Sequence, residues 1–387
     1  MADALSPREI LEKLVSFPTV SSESNLDLIA WVEDYLAGHG IESRRVYDET
    51  GEKAALYAQV GPNVEGGAVL SGHTDVVPVE GQDWSSQPFE VVEKDGKLYG
   101  RGTADMKGFD ALAIAAVVKA KDQDIKRPLQ LALSYDEEVG CLGAPPMIED
   151  MKQHLPMAEL VIVGEPSMMK VVTGHKGGSG FDVHVKGYEV HSSIAPEGVS
   201  AVMRAASLID WANQENHRIR NGEPTPGADL YYPPFTTYHV GMVHGGTAHN
   251  ITAGDCHFGL DYRLLPGDDP KAIEQAFLDE VARVEAEMKA INPDTGIEIT
   301  PFFGIPPLRP EEDGAAERLA RKITGDNGTH TVSYGTEAGQ FQDAGYSAAV
   351  CGPGDIAQAH QADEFLAISE LQKGEAFLDD VIEHLKS

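Results

Sequence analysis

The sequence is short of basic residues, of cysteine and of long apolar runs. Lys and Arg number 30 against 62 Asp and Glu, a formal net charge of −32 over 387 residues. Such an acidic excess argues against nucleic acid and anionic membranes as partners, because both are met by a basic face. It is compatible with metal cations or a cationic small molecule, and most simply with a solvated acidic surface, salt adaptation included. The three cysteines, Cys141, Cys256 and Cys351, are too sparse for a disulfide framework and fit a reducing compartment. No apolar run nears the roughly 20 residues that span a bilayer. The segment from Met1 to Glu9 has no basic start followed by an apolar stretch, so it reads as mature cytoplasmic sequence.

What remains is an ordinary globular composition, 42% hydrophobic and 24% charged, in a chain long enough for two domains. Ser6-Pro7-Arg8-Glu9 predicts a helix start, with Ser as cap and Pro at the first helical position. That helix should run to about Phe17, and a second from Leu26 to Ala37. Ala54–Val60, Gly67–Leu70, Leu129–Ser134 and Leu160–Val163 read as strands, with a hairpin at Asp95-Gly96 and a helix over Ala111–Lys121. Apolar strands alternating with helices predict an α/β layered domain. From about Gly180 the order becomes strand-helix-strand-strand-helix-strand, the split βαβ, ferredoxin-like plan. An inserted α+β domain is therefore expected over 180–293, with 1–179 and 294–387 forming the first.

Leu70-Ser71-Gly72-His73-Thr74-Asp75 ends a buried strand on an imidazole and a carboxylate. Asp105 ends the Gly100–Asp105 segment, Glu137 and Glu138 follow a third strand, and Glu165 a fourth. In an open α/β sheet such groups collect outside the carboxyl ends of the strands. That many carboxylates would repel one another unless a divalent metal lay among them. Histidine with carboxylates and no cysteine cluster suits zinc or a neighbouring first-row ion. A second metal needs a second imidazole, and His360, after the strand ending at Val350, is the best candidate. The Glu137-Glu138 pair lets one carboxylate ligate while the other holds the attacking water.

Ser71–Pro78, Gly100–Gly108, Asp136-Glu137-Glu138 and Gly164-Glu165-Pro166 resemble, in order and over essentially the whole chain, the acetylornithine deacetylase / succinyl-diaminopimelate desuccinylase family of di-zinc amidohydrolases. The resemblance implies a zinc-aminopeptidase-like catalytic domain carrying an inserted dimerisation (lid) domain. It implies two Zn2+, with Co2+ as a substitute, bridged by Asp105. His73 and Glu165 would hold one ion, and Glu138 and His360 the other. Glu137 would be general base and then acid, and Asp75 would orient His73. A cis peptide is implied after Asp105. His191 would reach the partner's site in a homodimer as a donor to the oxyanion. The other histidines, His184, His244 and His257 among them, are expected to be structural or surface, and Cys141 a packed thiol.

The substrate class implied is a small N-acyl amino acid. The Gly335-Thr336-Glu337-Ala338 loop and His175-Lys176-Gly177 resemble the deacetylase branch. That branch implies N-acetyl-L-ornithine plus water giving L-ornithine and acetate, in arginine biosynthesis. Glu337 is expected to pair with the substrate's side-chain ammonium, with Thr336 and Lys176 nearby; Arg263 and Asn250 are candidates for its α-carboxylate. The alternatives are desuccinylation of N-succinyl-diaminopimelate, a broader N-acyl-amino-acid amidohydrolase, and a non-catalytic metal- or amino-acid-binding protein.

Overall fold

The computed structural model describes residues 4–387. The chain divides into two compact units. The segment ending at Gly174, Leu308–Thr331 and Thr336–Ser387 form the first; His175–Pro307 and Val332–Gly335 form the second.

The first unit is built on an eight-stranded sheet. Its order is Ser43–Tyr47, Ala54–Val60, Leu129–Ser134, Ala68–His73, Leu160–Pro166, Ser347–Gly352, Val172–His175 and His330–Val332. The four strands Leu129–Ser134, Ala68–His73, Leu160–Pro166 and Ser347–Gly352 run parallel. Ala68–His73, Leu129–Ser134 and Leu160–Pro166 are buried at every position, which is why they read as continuous apolar runs. Parallel neighbours need crossover connections. The Lys107–Lys121 helix lies in the first crossover and Ala144–His154 in the second. Lys107–Lys121 packs against the Pro7–Val15 and Ile368–His384 helices as well as the sheet. The Pro7–Val15 helix opens with the expected capping box, Ser6 and Glu9 satisfying each other's backbone N–H groups.

The second unit has a four-stranded sheet in the order Thr237–Gly245, Asp255–Leu264, Gly177–Lys186, Gly296–Ile305. Every adjacent pair is antiparallel, so the first and third strands in sequence lie at the centre, as the split βαβ plan requires. Period-2 alternation divides its faces. Phe181, Val183, Val185, Cys256, Phe258 and Leu260 form a core with the Ala201–Asn221 and Pro270–Ile291 helices. Asp182, His184, Asp255 and His257 alternate with them and point the other way. Among the described residues no helix is long and apolar enough to cross a membrane.

Candidate metal centre and active site

The parallel strands of the first unit deliver their ends to one edge. His73 is the last residue of its strand, and Glu165 is the next-to-last of Leu160–Pro166. Glu137 and Glu138 follow Leu129–Ser134. The chain leaving Ser347–Gly352 makes a short turn at Ile356–Gln358 and reaches His360 with a left-handed φ of +61°. Asp105 stands just before the Lys107–Lys121 helix, and the Asp105–Met106 peptide is cis.

Asp105 lies between two imidazoles. Its Oδ1 is 3.1 Å from His73 Nε2, and its Oδ2 is 3.3 Å from His360 Nε2. Glu165 Oε1 lies 3.6 Å from His73 Nε2, and Glu138 Oε2 lies 3.0 Å from His360 Nε2. Each imidazole thus has its own glutamate, and the two share the aspartate. Glu137 stands farther off, 4.0 Å from His73 Nε2. Ligand atoms of His73, Asp105 and Glu138, and of His73, Glu137 and Glu165, converge within 4.8 Å. Imidazole and carboxylate donors at such spacing fit a pair of divalent ions of the zinc type.

The electrostatics point the same way. Burial first, then the charges of its neighbours, pushes the Glu165 carboxyl well above the usual range. The same causes raise Glu137 to about 8 and Glu138 to about 7. Burial also opposes the charge on Asp105, but His360 and His73 outweigh it and hold its carboxyl below the usual range. Hydrogen bonds to Asp105 and Glu138 raise His360 to about 10. A crevice that raises its acids and holds protons on its base is one that calls for cationic charge.

Several supports were not visible in the sequence. Asp75 meets His73 Nδ1 through its backbone carbonyl at 3.0 Å, closer than its carboxylate at 3.5 Å. The carboxylate accepts from the backbone N–H groups of Glu137 at 3.1 Å and Glu138 at 3.3 Å, and from the Ser21 hydroxyl at 2.7 Å. Buried Glu364 accepts from the backbone N–H groups of Gly102, Ala104 and Asp105 and pairs with Arg101 at 2.7 Å. Arg101 also donates to Gln82, whose amide donates to the His360 carbonyl. One network therefore fixes the backbones of both Asp105 and His360. The Cys141 thiol donates to Glu137 Oε1 at 3.2 Å, a contact beyond the packing expected of it. Asp110 is buried beside Gly72 with neither oxygen partnered by protein, and burial pushes its carboxyl well above the usual range.

The substrate candidates fare differently. Glu337 is 1% exposed and accepts from the hydroxyls of Ser71, at 3.1 Å, and Ser134. Those two serines sit on adjacent parallel strands and hold the carboxylate near the strand ends. Thr336 is fully buried, and its hydroxyl accepts from the Ala338 N–H at the start of a short helix. Within the second unit, Lys176 is buried and donates to the carbonyls of Pro233 at 2.6 Å and Phe235 at 2.9 Å. Those bonds fasten the loop that carries Pro233 and Phe235. Arg263 pairs with Asp261 at 3.3 Å and stands opposite Gly178, whereas Asn250 precedes the other end of that strand, where its carbonyl accepts from the Ser192 N–H. Asn250 is brought instead to the exposed His191 loop, where His191 Nδ1 accepts from the Ser193 N–H at 3.2 Å.

Comparison with known proteins adds to this geometry. The chain is 34% identical to acetylornithine deacetylase of Myxococcus xanthus over 397 residues, covering 99% of each chain. Its fold is similar to that of an M20 family metallo-carboxypeptidase of Sulfolobus solfataricus, with a TM-score of 0.80 at 17% identity over 99% of each chain. It is also similar to that of a dinuclear metal-binding M20 peptidase of Bacillus subtilis, with a TM-score of 0.64 at 13% identity over 98% of this chain and 97% of that one. The profile of Peptidase family M20/M25/M40 matches residues 69–384, a span that takes in every strand end described above, and the chain belongs to that family.

Proposed function

We propose that the chain is a metal-dependent amidohydrolase that converts N-acetyl-L-ornithine and water into L-ornithine and acetate, a step of arginine biosynthesis. The observation that carries the reading is Asp105 placed between His73 and His360, each with its own glutamate, and a further glutamate, Glu137, standing off from both. The 34% identity to a full-length acetylornithine deacetylase supports the choice of acyl group and amine.

His73, Glu165 and Asp105 would hold one ion, and His360, Glu138 and Asp105 the other. Zinc suits these donors, with cobalt as a substitute. When bound, the two ions supply Lewis-acid polarisation of the amide carbonyl and a lowered pKa for the attacking water. Glu137 takes a proton from that water as its oxygen attacks the carbonyl carbon. The same carboxyl then gives the proton to the amide nitrogen as the C–N bond breaks, releasing acetate and the amine. Asp75 and Cys141 hold Glu137 in place from the backbone and the carboxylate sides.

His191 is assigned to the oxyanion, supplied by a second copy of the chain in a homodimer. With Nδ1 accepting from the Ser193 N–H, a neutral ring carries its proton on Nε2, the tautomer a donor needs. Asn250 would arrive with it from the same copy. The second unit is then a dimerisation domain as well as a lid. Three free cysteines fit a cytoplasmic setting.

Glu137→Gln tests the assignment. It should keep both ions while turnover falls roughly 10²–10⁴-fold; full activity at normal metal content would sink it. Turnover of N-acetyl-L-ornithine beside N-succinyl-diaminopimelate on metal-replete protein tests the substrate. Faster turnover of the succinyl compound would move the reading to the desuccinylase branch, and no hydrolysis of either would move it to a binding protein.

A further inference from the structure

The outward face of the second unit's sheet carries a second convergence of metal-binding side chains. His244, His257, His184 and Glu298 stand opposite one another on four successive strands, so a single row crosses the whole sheet. Facing residues of an antiparallel pair hold their Cβ atoms roughly 4.5–5.5 Å apart, close enough for side chains to share a ligand. The rings of His184 and His257 stack, with centroids 3.8 Å apart and planes within 15° of parallel, so one ring must turn about its side-chain torsions for both in-plane lone pairs to meet a single ion. His184 Nε2 lies 2.8 Å from Asp255 Oδ1, and its Nδ1 lies 3.5 Å from Glu298 Oε2. One ligand atom from each of His184, Asp255 and His257 lies within 4.8 Å of the other two. The row opens on a shallow cavity of about 320 Å³, while the helices of this unit take the opposite face.

We infer that His184, His257 and Asp255 form a binding site for one divalent transition-metal ion, separate from the first-unit cluster and sharing no residue with it. Two imidazoles and one carboxylate favour zinc, nickel or copper over magnesium or calcium, which prefer oxygen donors alone. The backbone under the site is already fixed by the cross-strand ladder, so ligation costs little ordering beyond the side chains. Lys186 pairs with Glu298 at the margin of the row, which leaves the two histidines and Asp255 as the ligand set, with room for water. An ion there clips Gly177–Lys186 to Asp255–Leu264. Because it recognises only the folded arrangement, it stabilises the second unit by mass action.

The test uses the full chain. A background carrying His73→Ala and His360→Ala removes an imidazole from each half of the first-unit cluster. Titrated calorimetrically with Zn2+, that background should retain one equivalent at this face, and adding His184→Asn with His257→Gln should abolish it. In the otherwise unaltered protein the same pair of substitutions should lower bound Zn2+ by one equivalent, with the circular-dichroism spectrum and the rate on N-acetyl-L-ornithine unchanged. His257 is exposed, so His257→Gln alone provides a variant with little risk to folding. With Cu2+ added to the His73→Ala/His360→Ala background, the electron paramagnetic resonance spectrum should show coupling to two imidazole nitrogens, and to one after His257→Gln. Equal zinc content with and without His184 and His257, or copper spectra that do not respond to His257→Gln, would overturn the site. Neither readout depends on which amide the enzyme hydrolyses.

Discussion

Asp75 was expected to act through His73. Its carboxylate instead spans two jobs, lying 3.5 Å from His73 Nδ1 while accepting from the backbone N–H groups of Glu137 and Glu138. The second job bears on the reaction, because a general base displaced by about 1 Å can lose on the order of 10²-fold in rate. Asp75→Asn keeps the shape but must turn an amide N–H toward at least one of its three donors. The expected result is a fall in kcat of about 10–100-fold with KM little changed and zinc still bound. Steady-state kinetics with metal analysis would check it; an unchanged kcat would show that the Glu137 backbone holds its place unaided. His73, Glu137, Glu138 and Glu165 were legible because each lies at or just after a strand end in a short local pattern. The supports were not, because Asp75 meets Glu137 across 62 positions and Glu364 meets Asp105 across 259, with nothing local to mark either pairing. The setting of Glu337 was hidden for a related reason: its carboxylate accepts from two hydroxyls far away in sequence.

Among elements, the Lys107–Lys121 helix and the Leu160–Pro166 strand meet at an unusually close point. A Cβ on Gly164 would lie 1.9–2.3 Å from atoms of the Phe109 ring. The contact sets how the helix that follows Asp105 sits on the strand that carries Glu165. Gly164→Ala should therefore cost about 1–3 kcal/mol by overpacking and weaken zinc binding through Glu165. Phe109→Leu in that background should recover part of the loss. Denaturant unfolding of both singles and the double closes the cycle, and simple additivity would show that the two residues do not press on each other. Elements with strong local signals are legible in the sequence, the Ser6-capped helix and the buried parallel strands above all. Those missed had misleading local chemistry. Ala144–His154 opens on Pro145 and Pro146, residues that break a helix in its interior but suit a first helical turn. Ser43–Tyr47 carries Arg44 and Arg45 on an edge strand, where burial demands little and the apolar alternation is lost.

For the whole molecule the governing quantity is charge. Were every Lys and Arg paired with one carboxylate, 62 − 30 = 32 acidic groups would still lack a basic partner. Their mutual repulsion opposes the compact state, and it is screened as the Debye length falls from about 30 Å at 0.01 M salt to about 3 Å at 1 M. Salt also weakens the surface ion pairs, but exposed pairs contribute only about 0–1 kcal/mol each, so repulsion should dominate. The melting temperature at pH 7.5 should therefore rise as NaCl is increased from 0.01 to 0.5 M, steeply at first and then less as screening saturates. The pH dependence separates this from a general salting-out effect, because the rise must shrink toward pH 5, close to the sequence pI of about 4.7. Zinc-saturated protein at each salt concentration keeps metal binding from contributing. A melting temperature that climbs equally at both pH values would show that the acidic surface is already relieved by its own arrangement, with the carboxylates spaced widely enough that their charges do not act together.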